Sequence, residues 1–165
     1  MIVLVLVALT LLAQLTLALP GLPSWAADVL VPMIWVVGPP LGLKRPQWPY
    51  VGLVIGVSLD IVLAEPVVGP GGIAWAAAAL AARWLSTVMV DRSPKAWFAL
   101  GAAATVVVIV VRHLALLPLG LATRLIWPQL AFSSLLTAAW CALVAGMFAL
   151  DLPKRWRSRR SRRLH

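Results

Sequence analysis

Five carboxylates, two histidines and one cysteine carry most of the acid–base, nucleophilic and metal-binding capacity of this 165-residue chain. Hydrolytic or transfer chemistry needs a nucleophile or base beside an orienting partner, or several ligands around one metal. These residues are too few and too scattered for either, and His165 closes the chain. No H-E-x-x-H, G-x-S-x-G or G-x-x-x-x-G-K-[ST] pattern occurs. Gly69, Gly71 and Gly72 lack the lysine that would follow in a phosphate cradle, so they read as a tight turn. Cys141 stands in an apolar run without a second cysteine and reads as packing. The sequence therefore nominates no catalytic residue, no metal and no cofactor. What it does nominate is Asp60, which follows two glycines at helical spacing: Gly52, Gly56 and Asp60 form G-x-x-x-G-x-x-x-D. On a helix, each step of four residues turns the direction by only about 40°, so the three share one narrow stripe.

The surroundings of that stripe are apolar. Hydrophobic residues make up 62% of the chain, charged residues 12%, and the mean hydropathy is +0.98. An ordinary soluble domain carries roughly 25% charged residues. The composition is that of an integral membrane protein, and long apolar runs without two-residue alternation argue for helices over a barrel. A span needs about 20 apolar residues to cross roughly 30 Å of hydrocarbon, so the length suits one all-α bundle of five or six transmembrane helices.

Proline and glycine punctuation predicts spans over about 2–19, 25–43, 48–64, 73–90, 96–117 and 126–150. The first lacks a basic leader region and a clear cleavage site, and reads as a retained span, the alternative being a cleaved leader. The second is the weakest, with Asp28 near its start, Pro32 as a kink and Pro39-Pro40 as a break. The bundle is expected to occupy 1–151, with 152–165 as a basic cytoplasmic tail. Basic residues near span ends stay cytoplasmic. Lys154, Arg155, Arg157, Arg159, Arg160, Arg162 and Arg163 in the tail fall on the same side as Lys44, Arg45, Arg92 and Lys95, against only Arg112 and Arg124 opposite. Both termini are thus expected in the cytoplasm. A five-span version without 25–43 would move only the N-terminus outside.

An ionisable side chain within a span costs roughly 2.5–3.5 kcal/mol and calls for a partner. Arg112 and then Arg124 are the candidates for Asp60, both expected in the same outer half. The carboxylate would then form a buried polar clasp or a partner-binding site; otherwise it lies near the interface and reaches headgroup water. Gly52 and Gly56 permit close helix approach, either inside the bundle or to a partner. Thr10 and Gln14 share a face of the first span and can hydrogen-bond a neighbouring helix. Lys154, Arg155, Trp156, Arg157, Arg159 and Arg160 suit anionic lipid headgroups, at about 1 kcal/mol per basic residue near the surface. Their juxtamembrane position favours lipid over nucleic acid. Arg83 reads as snorkelling to the cytoplasmic surface, and Trp25, Trp48, Trp84, Trp97 and Trp127, near span ends, as interfacial belts.

The block Val51 to Asp60, followed by Glu65-Pro66, Gly69 and an alanine-rich helix, resembles the MreD family of bacterial rod shape-determining membrane proteins. The likeness covers about 40 residues; chain size, span count, a weakly marked second span and the Pro128 to Ala149 helix agree with it more generally. The resemblance implies a fold similar to that of transporter S-components. It also implies a non-enzymatic scaffold of the cell-elongation machinery in the inner membrane, helping to maintain rod shape and peptidoglycan synthesis. Such a scaffold would bind MreC and, through it, be linked to MreB and the elongation peptidoglycan synthases. Gly52, Gly56 and Asp60 carry over to the family's glycine and aspartate positions. With little chain outside the bilayer besides the tail, MreC would be met mainly within the membrane or at its outer face. The alternative is a substrate-binding S-component of an energy-coupling vitamin transporter. Ala8, Ala13 and Ala18 recur every five residues, which departs from the A-x-x-x-A docking pattern of such subunits.

Overall fold

A computed structural model describes residues 2–19, 29–42, 48–63, 65–88, 93–121 and 127–161, with side chains placed for 8–19, 29–38, 50–63, 65–88, 93–121 and 127–147. Among these residues the chain is all-helical. Six α-helices follow in order: α1 (Ile2–Leu17), α2 (Ile34–Gly42), α3 (Trp48–Val62), α4 (Pro70–Val88), α5 (Pro94–Leu116) and α6 (Trp127–Ser161). Short 3-10 turns at Val31–Met33 and Leu117–Leu119 lead into α2 and out of α5. Two stretches, Pro94–Leu119 and Trp127–Met147, are long and apolar enough to cross a membrane.

The helix limits follow local chemistry. Proline opens α4 and α5, where the missing N–H costs nothing and the fixed φ suits a first helical residue. Ser93 precedes Pro94 in extended conformation, and its carbonyl accepts from the amides of Ala96 and Trp97. Beyond Leu117–Leu119 the chain turns at Gly120, whose φ of 67° is left-handed and favours glycine. The second expected span departs most from the sequence reading. Residues 20–28 lie outside the described part, and α2 has 9 residues. At 1.5 Å per residue it reaches only about 14 Å, far short of a bilayer core. Pro32 lies in the 3-10 turn instead of kinking a longer helix, and α2 continues through Pro39-Pro40 to Gly42. The last helix also runs on beyond 150, through the basic segment to Ser161. Lysine and arginine are good helix formers, so charge does not oblige the helix to stop where the apolar run does.

Consecutive helices pack side by side, α3 on α4, α4 on α5 and α5 on α6, while α2 lies against α3, α4, α5 and α6. The interior is built largely from small residues: Ala74, Ala78, Ala79, Ala82, Ala104 and Ala138 are buried. Gly101 lets α6 approach α5 so closely that a Cβ there would lie 3.1 Å from the Cys141 Sγ. Cys141 is accordingly buried as a packing residue. Large apolar side chains such as Leu53, Ile61, Ile73, Leu80, Leu135 and Leu143 lie on the outside.

The stretch before α2 is not α-helical, yet it is enclosed, so its backbone must find partners from other elements. The Leu30 amide donates to Thr137 Oγ1 at 3.1 Å and the Val31 amide to Gln14 Oε1 at 2.9 Å. The Val31 carbonyl accepts from Trp140 Nε1 at 3.2 Å, and Trp35 Nε1 donates to Thr10 Oγ1 at 3.0 Å. The polar face of α1 therefore meets a neighbour inside the chain. Thr137→Val preserves shape but strands the Leu30 N–H, and it is expected to lower stability by about 1–3 kcal/mol in detergent unfolding measurements.

Candidate functional site

The G-x-x-x-G-x-x-x-D stripe lies on α3 and faces α4. A Cβ at Gly52 would come within 2.6 Å of the Trp75 carbonyl oxygen and 3.2 Å of Ala79 Cβ. At Gly56 it would overlap the Gly71 carbonyl oxygen and lie 2.8 Å from Gly72 Cα. The contacts on α4 recur at positions 71, 75 and 79, the same four-residue step as on α3, so two matched stripes form the crossing. This is helix packing within the chain. The glycines are the means by which two backbones touch.

Asp60 completes the crossing at the last turn of α3. The residue is 3% exposed. Oδ2 accepts from the amide of Gly69 at 2.9 Å and from that of Gly71 at 3.0 Å. Helix starts leave amides without intrahelical partners, and a carboxylate there gains both charge-assisted hydrogen bonds and a favourable interaction with the helix dipole. Asp60 thus caps α4 from a different helix. Its own carbonyl accepts from the Glu65 amide at 3.0 Å, fastening the end of α3 as well. Two neighbouring glycines are required for this geometry. Gly69 has φ of 129°, which a side chain would strain, and a Cβ at Gly71 would overlap the Asp60 carboxylate.

The expected Asp60–Arg112 pairing gives way to a different arrangement. Arg112 Nη2 forms its ion pair with Glu65 Oε1 at 2.6 Å. Glu65 sits in the loop after α3, within reach of α5, whereas the amides of Gly69 and Gly71 occupy Asp60. Arg124 lies outside the described residues. Both Arg112 and Glu65 are about one-third exposed, at 35% and 29%, so solvent weakens their attraction. Arg112→Ala is expected to lower stability by about 1 kcal/mol or less, in contrast to Asp60→Ala.

Asp60, Glu65, Arg112 and His113 meet at one cavity of about 480 Å³, bounded by α1, α3, α4, α5 and α6. It lies at the end of the bundle remote from the basic C-terminal turns of α6, and Trp75, Leu59, Val108 and Leu130 contribute to its walls. Among the described residues, no group of three or more His, Cys, Asp and Glu side chains could hold a metal ion.

No protein-family model, curated protein or solved structure matches the chain. The other residues named from sequence fall as follows. Lys154, Arg155, Trp156, Arg157, Arg159 and Arg160 are on the C-terminal turns of α6, where side chains are outside the described set. Trp84, Trp127 and Arg83 are exposed. Trp97 is instead half-buried and packs on Gly38, where an added Cβ would come within 2.8 Å of Cη2. Glu65, Gly69, Gly71 and His113 belong to the site but were not nominated by sequence. The signal for the capping pair was the Gly-Pro-Gly-Gly run, which marks a helix start as well as a turn.

Proposed function

We propose that this chain is a multi-pass protein of the bacterial cytoplasmic membrane, with both termini in the cytoplasm. Its role is that of a non-enzymatic scaffold of the cell-elongation machinery. It binds MreC and, through that partner, is linked to MreB and the peptidoglycan synthases of elongation. Support for the membrane setting comes from the side-chain distribution, with small residues between helices and large apolar ones outside. That suits lipid, where close packing replaces the hydrophobic drive between helices.

One observation carries the scaffold reading. The residues of the MreD resemblance, Gly52, Gly56 and Asp60, act as a single unit that joins α3 to α4. A family-level motif with that job sets the shape of a bundle and needs no catalytic group. Because α4 fills the stripe, the partner's span meets other faces of the bundle. Affinity isolation of the full chain from its native membrane is expected to bring down a single-span coiled-coil protein. Recovery of no such protein, with none encoded by the neighbouring reading frame, would remove the reading's main support.

The cavity favours a second reading, the substrate-binding subunit of an energy-coupling vitamin transporter. Under the proposed topology the cavity opens at the outer face, where such a subunit would take up its ligand. A vitamin recovered with the purified chain would support this reading over the scaffold.

A further inference from the structure

The Asp60 carboxylate is only half accounted for by its role as a cap. Both amide hydrogen bonds fall on Oδ2, and Oδ1 accepts none from the described residues. A buried carboxylate oxygen without a donor is costly and calls for a partner. Arg112 faces the same cavity, but its ion pair is made with Glu65. Among the described residues, the lining sets two carboxylates, Asp60 and Glu65, against one guanidinium, Arg112. Buried Trp75 lines the cavity with Asp60, and the rest of the wall combines aliphatic residues, including Leu59, Leu63, Val108 and Leu130, with Gln14, Gln129 and Ser133.

We propose that this cavity binds an organic ammonium compound with an apolar body, its cationic head on Asp60 Oδ1. An ammonium supplies the donor that Oδ1 lacks among the described residues and balances the second carboxylate of the lining. An anion would meet the Asp60 carboxylate, and a neutral apolar molecule would leave the oxygen unsatisfied. A volume of about 480 Å³ falls within the range of small-molecule sites, roughly 300–1,000 Å³. The inference rests on the cavity and on neither reading of function: a scaffold would use the ligand as a structural or regulatory occupant, a transporter subunit as cargo.

Calorimetric titration of the full chain in lipid nanodiscs tests it with three probes of similar size: 2-phenylethylammonium, 2-phenylethanol and phenylacetate. Saturable binding of the ammonium is expected, at least tenfold tighter than that of either other probe. Asp60→Asn retains an oxygen for the Gly69 and Gly71 amides but removes the charge, and should weaken ammonium binding tenfold or more. Leu130→Trp, which narrows the cavity without touching the cap, should weaken it as well and decides the matter if Asp60→Asn does not fold. No saturable binding to the native chain, equal binding of the three probes, or undiminished binding to either folded variant would overturn the proposal. These outcomes are independent of whether a coiled-coil partner is recovered from native membranes.

Discussion

Gly56→Ala is expected to destabilise the bundle by about 3 kcal/mol, at the upper end of what overpacking usually costs, and Gly56→Leu by more. The reason is the identity of the obstructing atoms. A Cβ at position 56 meets the carbonyl oxygen of Gly71 and the Cα of Gly72, which are backbone and cannot rotate away. Relief would require α3 and α4 to move apart, drawing Asp60 from the amides it caps. Gly146 provides the contrast, since a Cβ there meets nothing within 4 Å. Gly146→Ala should be neutral or stabilising by up to about 1 kcal/mol through helix propensity. Reversible unfolding of each variant in mixed detergent micelles measures the difference, and equal effects at the two glycines would contradict the packing account.

Asp60→Ala is expected to cost a similar amount, about 3 kcal/mol. It removes an ionised acceptor from two amides, and a hydrogen bond to a charged group is worth roughly 1.5–3 kcal/mol. It also leaves the Gly69 and Gly71 N–H groups without that acceptor at an enclosed helix start. Asp60→Asn keeps an oxygen in place and should cost about 1 kcal/mol, since the charge-assisted part is lost and the geometry survives. The same unfolding assay ranks the three proteins. An alanine variant as stable as the native chain would show that the cap contributes nothing.

The glycine stripe was legible from sequence because helical periodicity alone places positions 52, 56 and 60 on one face. The element that covers the stripe was not. Intramolecular packing and partner docking both require glycines at this spacing, and only the matching step on α4, through Gly71, Trp75 and Ala79, distinguishes them. The acid was legible as a residue in need of a partner, but the sequence argument searched for an opposite charge. The donors were amides ten residues or so along the chain, which composition cannot reveal because every residue except proline carries one. Arg112, expected to pair with Asp60, pairs instead with Glu65, which the sequence reading passed over as loop punctuation before Pro66.

Helix limits show the same division. Those of α3, α4 and α5 lie close to the expected ones because proline and glycine act locally at their ends. The expected second span was an inference from apolar composition across Pro32. The structure satisfies the Leu30 and Val31 amides through Thr137 and Gln14, residues distant in sequence, and so tolerates an enclosed stretch outside any α-helix. Such tertiary rescue has no local signature.

The central claim is that Gly52, Gly56 and Asp60 brace α3 against α4 and act on any partner only through the fold. Its most direct test is Asp60→Asn in the native membrane, with protein amount, melting temperature and partner recovered per molecule measured on the same sample. The account predicts a modest drop in melting temperature and unchanged partner recovery per folded molecule. Normal amount and melting temperature with the partner lost would contradict it, and would make Asp60 a contact residue.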